Sequence, residues 1–206
     1  MADYTGYRFP DPEASRLASL GGIEQDLRGV ITYRDLLVER SEITKLNFVE
    51  WEALSSAAVI RYARCFSSGV RGYLPHDLLD AADQELQQAH RFFMELRNRH
   101  IAHSVNPFEE NDVTIQIAAH FQSSEEICQI NTAHGRRIGL SFGAPDLLKR
   151  LAEWLLHKVK EEMKAEQATL LQIARKRPLA EIKAYGVPQA AASANDINVG
   201  KRRKRP

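Results

Sequence analysis

Near the middle of the 206-residue chain, the run Arg97-Asn98-Arg99-His100-Ile101-Ala102-His103-Ser104 gathers side chains that can do chemistry. Imidazole exchanges a proton near neutral pH, so His103 is a candidate general acid or base, and His100 a candidate neighbour. The Arg97 guanidinium keeps its charge and offers a planar fork of N–H donors to an oxyanion. Asn98 can orient such an oxyanion, a phosphate for example, or the imidazole by hydrogen bonding. What precedes the run gives it weight. Leu79, Leu86, Phe93 and His100 recur every seven residues, and so do Ala82, Ala89, Leu96 and His103. These are the a and d positions of a seam that a helix turns toward its neighbours. A seam normally avoids imidazole, so the polar end implies a solvent-reaching mouth or a built site. A plainer reading stands beside it, because Arg and His favour the C-terminal end of a helix dipole.

The elements that must position these residues read as mainly helical. Residues 1–22, rich in Pro, Gly and Tyr, read as a flexible arm ending at a Gly21-Gly22 break. A first helix follows from Ile23 to about Glu39, on Leu27, Val30, Ile31 and Leu37. Asn47 and Glu50 have the form of a capping box opening a second helix. That helix buries Phe48, Trp51, Ala58, Tyr62 and Cys65 or Phe66, and stops at Ser67-Ser68-Gly69. Pro75, with Asp77 as N-cap, opens the third. After Pro107 the period changes to two: Val113, Ile115 and Ile117 alternate, Ile127–Ile130 suggests a second strand and Arg137–Ser141 a third, with a turn at His134-Gly135. A final helix from Pro145-Asp146 packs Leu148, Leu151, Leu155, Val159 and Met163, and Pro178 stops it. The expected architecture is a four-helix bundle over 23–177, with a β-meander at about 112–142 inserted between helices three and four. Residues 178–206 are expected to be a disordered tail with a basic end.

On that frame, Arg97-Asn98 with His103 resembles the signature of the HEPN superfamily, an Arg often followed by Asn and then, after four to six residues, by His. The string LRNRHIAHS is similar to HEPN members found among bacterial abortive-infection proteins, as is Arg61–Ser68 on the second helix. The likeness covers about residues 23–170. It implies a metal-independent endoribonuclease in which the RNA's own 2′-OH attacks the phosphodiester and a cyclic phosphate is left. Arg97, Asn98 and His103 are then the catalytic residues, with His100, Arg64 and Tyr62 as candidates for lining the site, and with no metal and no cofactor. Arg71 is a further candidate for the same cleft. Six helical steps separate Arg97 from His103, roughly 9 Å along the axis and about 100–120° around it. One straight helix does not converge them on a single phosphate, whereas fraying after Ala102 does, and so does a two-fold axis. A homodimer through helix three is expected, with RNA as the other partner and an antitoxin or regulatory protein as a third.

Charge and cysteine usage set the remaining bounds. The formal net charge of +1 is an average, because five of the 28 Lys+Arg lie in Lys201–Arg205; the rest of the chain sets 23 bases against 27 acids. A uniformly basic nucleic-acid coat is excluded, while a local one is open. The tail itself reads as a phosphate-backbone tether, a nuclear-localisation run or a solubilising end. Cys65 and Cys128 match no metal spacing and are expected as unpaired thiols in a reducing compartment. No leader and no membrane span is legible, so the expected location is cytoplasmic. Glu95 and Arg99 read as an exposed i,i+4 pair, and His76, His90, His120, His134 and His157 receive no role. Three functions fit this reading: a ribonuclease of the toxin or phage-defence kind, a non-catalytic HEPN module binding RNA, nucleotide or protein, and an interaction bundle with a pH-sensitive histidine interface.

Overall fold

The computed structural model describes residues 5–9, 12–42, 48–69, 71–101, 109–118, 126–136, 139–140 and 143–187. It is mainly helical, with one two-stranded antiparallel sheet. A 3₁₀ turn at Pro12–Ala14 leads straight into α1 (Ser15–Glu42). The helix runs through Gly21 and Gly22, where the sequence suggested a break and the end of a flexible arm. Each glycine costs about 1 kcal/mol relative to Ala in a helix. Burial of Leu20 and Ile23 beside them, both completely enclosed, more than offsets this. Gly22 also has a packing reason: a Cβ there would lie 2.9 Å from the Arg71 guanidinium.

Helix α2 (Phe48–Arg64) buries Ala58, Val59 and Tyr62, followed by Cys65 and Phe66. Its expected first anchor, Phe48, is instead 79% exposed, so the buried face starts at the half-buried Trp51. The cap proposed at Asn47 lies outside the described residues. The chain then turns, with the Leu74 N–H donating to the Cys65 carbonyl (2.8 Å). A 3₁₀ turn at His76–Ala81 follows, where the third helix was expected to begin. Ala82 is extended (φ −86°, ψ 165°) and breaks the spiral. Asp83 then caps a separate helix, α3 (Gln84–Leu96), by accepting from the Leu86 N–H at 2.8 Å. Leu79 stays buried from within the 3₁₀ turn, so the heptad seam survives the break.

The strands β1 (Glu109–Ala118) and β2 (Glu126–Arg136) pair with Ile115 opposite Ile130 and Val113 opposite Thr132. A register shift after Gln116 leaves Cys128 as the extra residue, since Gln116 faces Gln129 and Ile117 faces Ile127. Opposed residues share a face, so Val113, Ile115, Ile117, Ile127 and Ile130 form one apolar side, each between 58% and 69% exposed. His134 and Gly135 are not a turn: they pair with Asn111 and Glu110, and the ladder continues to Arg136. Nor do Gly139 and Leu140 form the expected third strand. The Leu140 N–H donates to Ser55 Oγ (3.2 Å) and its carbonyl accepts from Trp51 Nε1 (3.2 Å), which leaves neither for a ladder. The rest of that expected strand, Arg137, Ile138 and Ser141, lies outside the described residues.

Helix α4 (Ala144–Arg175) opens after Gly143 with Pro145 in its first turn, and buries Leu148, Leu151, Leu155 and Val159 as its spacing implied. Met163 packs partly buried against the same core. Beyond Pro178 the chain forms α5 (Leu179–Ala184), where the sequence reading expected disorder from 178. The Arg8 N–H donates to the Gly186 carbonyl (2.9 Å) and the Arg177 guanidinium lies over the Phe9 ring, so the two ends hold each other. Residues 188–206, including the basic run Lys201–Arg205, lie outside the described residues. α1 packs against α2 and α4, and α3 also touches both. Among the described residues, no helix is long and apolar enough to cross a membrane.

Candidate functional site

At the end of α3 the backbone widens. Arg97–Ile101 form a π-helical turn instead of continuing the α-helix. Such turns are rare and concentrate at functional sites, because the altered register re-aims side chains that a regular helix would send elsewhere. The turn lies against α2. There, Leu96 and Ile101 share a small pocket with Glu52, Ser55 and Ser56 of α2 and with Leu140.

The Leu140 wall of that pocket is fixed tightly. Trp51 and Ser55, one helical turn apart, hold both backbone polar groups of Leu140. Gly139 beside it has φ +77°, and a Cβ there would fall 2.1 Å from the Trp51 ring. Only glycine fits this position, on backbone and on space. The clamp therefore carries the chain from the sheet back to α2 at the level of the π-helical turn.

Within the turn, Arg97 is half-buried and its Nη1 donates to Asn98 Oδ1 (2.9 Å). Asn98 thus steadies the guanidinium by one bond, while the fork has further N–H donors for an oxyanion. Arg99 lies 3.9 Å from Glu95, an exposed i,i+4 pair as the spacing implied. His103 and the side chain of His100 lie outside the described residues. The structure therefore brings Arg97 and Asn98 together, and of the helix end it is Leu96 and Ile101 that line the pocket.

Tyr62 and Arg64 go elsewhere. Tyr62 is fully buried, and its hydroxyl lies 2.6 Å from His90 Nδ1. His90 Nε2 is in turn 2.9 Å from His76 Nδ1, and Phe66 stacks on His76. A hydrogen-bonded chain thus runs from the core, through His90, to the exposed His76. Burial, helped by the neighbouring His76, pushes the His90 imidazole down to about 4, so it is neutral at neutral pH. Burial also holds the Tyr62 hydroxyl protonated, well above the usual tyrosine range. The sequence reading gave these two histidines no role. The signal was present, since Leu86, His90 and Phe93 fall on one face at i, i+4 and i+7, with Leu and Phe flanking the imidazole.

Arg64 turns toward α1, where its Nε is 3.5 Å from Asp26. Arg61 and Arg71 approach the same carboxylate. Cys65 is buried and its thiol is pushed up to about 12, mainly by that burial and then by Asp26, so it is a packing residue at neutral pH. Among the described residues, no three His, Cys, Asp or Glu side chains are grouped to hold a metal ion. Comparison of the chain with protein-family models, with curated proteins and with solved structures finds no match.

Proposed function

We propose that this protein is a HEPN-type, metal-independent endoribonuclease, of the kind that serves as a toxin or phage-defence effector. The observation that carries the reading is the π-helical turn beginning at Arg97, beside a pocket on α2, at the end of the third long helix. The contacts of α1 with α2 and α4, and of α3 with both, support a four-helix HEPN-like bundle, with the hairpin as an insertion between the third and fourth helices.

In this mechanism His103 takes the proton from the 2′-OH of RNA as the 2′-oxygen bonds to phosphorus. The P–O5′ bond breaks, the leaving 5′-oxygen takes a proton from the protonated His103 of the second copy, and a 2′,3′-cyclic phosphate remains. Arg97, steadied by Asn98, holds the phosphate oxygens and stabilises the charge that builds up on them. A homodimer through helix three supplies the second copy of each group. No metal and no cofactor takes part.

A second reading, a non-catalytic HEPN module that binds RNA, nucleotide or a protein partner, is favoured by one observation. Tyr62 and Arg64, two of the candidate lining residues, are engaged by His90 and Asp26. The test is a cleavage assay of purified protein on total RNA in EDTA, comparing wild type with Arg97→Ala and His103→Ala. The first reading expects a loss of about 100-fold or more in each variant. Equal products from wild type and His103→Ala, or no cleavage by the wild type, would sink it.

A further inference from the structure

Asp26 of α1 is buried, its side chain 6% exposed, and three guanidiniums converge on it. Arg71 Nη2 donates to Asp26 Oδ2 (2.5 Å), Arg64 Nε lies 3.5 Å away, and Arg61 Nη1 is 3.8 Å from Oδ1. α1 is shaped for them. A Cβ at Gly29 would sit 2.5 Å from the Arg61 guanidinium, and one at Gly22 would sit 2.9 Å from that of Arg71. Gly22, Asp26 and Gly29 are spaced four and three apart, so they line one stripe of the helix. Asp26 lies at its centre, with a glycine gap on each side that admits an arginine.

Such convergence is more than Asp26 needs. One guanidinium satisfies a carboxylate, and here there are three. The carboxyl end of α2, next to Arg61 and Arg64, adds about −0.5 of dipole charge. Together with the aspartate this leaves a surplus of about +1.5 at one spot. Among the described residues, no second carboxylate lies within 4 Å of these arginines. The surplus is reachable: the Arg64 side chain is 59% exposed and that of Arg61 is 37% exposed. The Arg61 guanidinium also lies over the Tyr33 ring, 5.3 Å from its centroid, a contact that helps to hold it. A planar fork held in place beside a second, open fork is matched to the oxygens of a phosphate.

We propose that Arg61, Arg64 and Arg71, gathered on Asp26, form a binding site for a phosphate group. An incoming dianion relieves the repulsion among guanidiniums that a single carboxylate leaves under-compensated. The site uses neither Arg97 nor His103, so it stands or falls apart from the ribonuclease reading, and His103→Ala should leave it intact.

Titration calorimetry on the full chain at low salt tests this with three probes: inorganic phosphate, adenosine monophosphate, and a short single-stranded RNA with a 5′-hydroxyl and every 2′-OH methylated. Inorganic phosphate should bind, with the affinity reduced about tenfold in Arg64→Ala. Arg28→Ala, which removes an exposed α1 arginine paired with Glu24, should bind as wild type does. Circular dichroism should show Arg64→Ala folded, since its side chain lies largely in solvent. Binding of the monophosphate but not the RNA identifies a terminal phosphate as the ligand, and the reverse identifies the backbone. Absence of binding by all three probes overturns the proposal. So does an equal loss in Arg64→Ala and Arg28→Ala, which would mean diffuse attraction and not a site.

Discussion

His90 is a titratable side chain placed in the core. It is 7% exposed, bonded through one nitrogen to Tyr62 and through the other to His76, and held neutral. Protonation requires it to take up charge within the core. Its folded value of about 4 lies below the ordinary 6.5, so the unfolded chain binds the proton more readily. Stability is therefore retained above pH 6.5 and falls as the pH drops from there toward 4. The loss expected from this group is about 2–3 kcal/mol. Urea denaturation of wild type and His90→Gln across pH 7 to 4 isolates it, because shared carboxylate titrations cancel in the difference; parallel curves would refute the assignment. The two thiols offer a simpler contrast. Cys128 is exposed and Cys65 is buried with its thiol pushed up to about 12. A disulfide reagent at neutral pH should label one thiol per native chain, and the second only after denaturation. Rapid labelling of both would contradict the burial of Cys65.

Two glycines with similar backbone angles separate space from conformation at the level of elements. Gly139 (φ +77°) lies against Trp51, whereas a Cβ at Gly143 (φ +81°) meets nothing within 4 Å among the described residues. Gly143→Ala should cost about 1 kcal/mol from backbone strain alone. Gly139→Ala adds the steric conflict with Trp51 and should cost at least about 2 kcal/mol more, read from thermal or urea unfolding. The hairpin and α4 give a second contrast. Leu151 is completely enclosed, so Leu151→Ala should cost about 2–5 kcal/mol. Ile115 is 58% exposed on the apolar side of the sheet, and Ile115→Thr should change stability by less than about 0.5 kcal/mol. A large effect at Ile115 would show that the apolar side is covered in solution. These elements also show which local signals could be read. Leu148, Leu151, Leu155 and Val159 keep the 3.6-residue period on a long helix, and burial followed it. Gly21-Gly22 misled, because the demand for a glycine there comes from Arg71, about fifty residues away, and leaves no local trace. Leu140 misled for a similar reason: the partners that keep it out of a ladder, Trp51 and Ser55, are distant in sequence.

For the whole molecule, the order of helices around an inserted β element was legible because each element carries its own periodicity. The site was legible only in part. His100, His103 and the flanking Arg97 follow from the chain's own seam and Asn98 from the resemblance, but the π-helical turn, which lies against α2, leaves no local trace. Tyr62 and Arg64 looked like lining residues on a helix facing the motif, yet their actual partners, His90 and Asp26, are set by tertiary contacts. The identity of the nucleophile tests the proposed reaction most directly. Purified protein in EDTA should cut an RNA oligonucleotide to leave a 2′,3′-cyclic phosphate, resolved by mass spectrometry, and should leave the same oligonucleotide uncut when every 2′-OH is methylated. A requirement for a divalent metal, products ending in 3′-hydroxyl and 5′-phosphate, or no cleavage at all would contradict it.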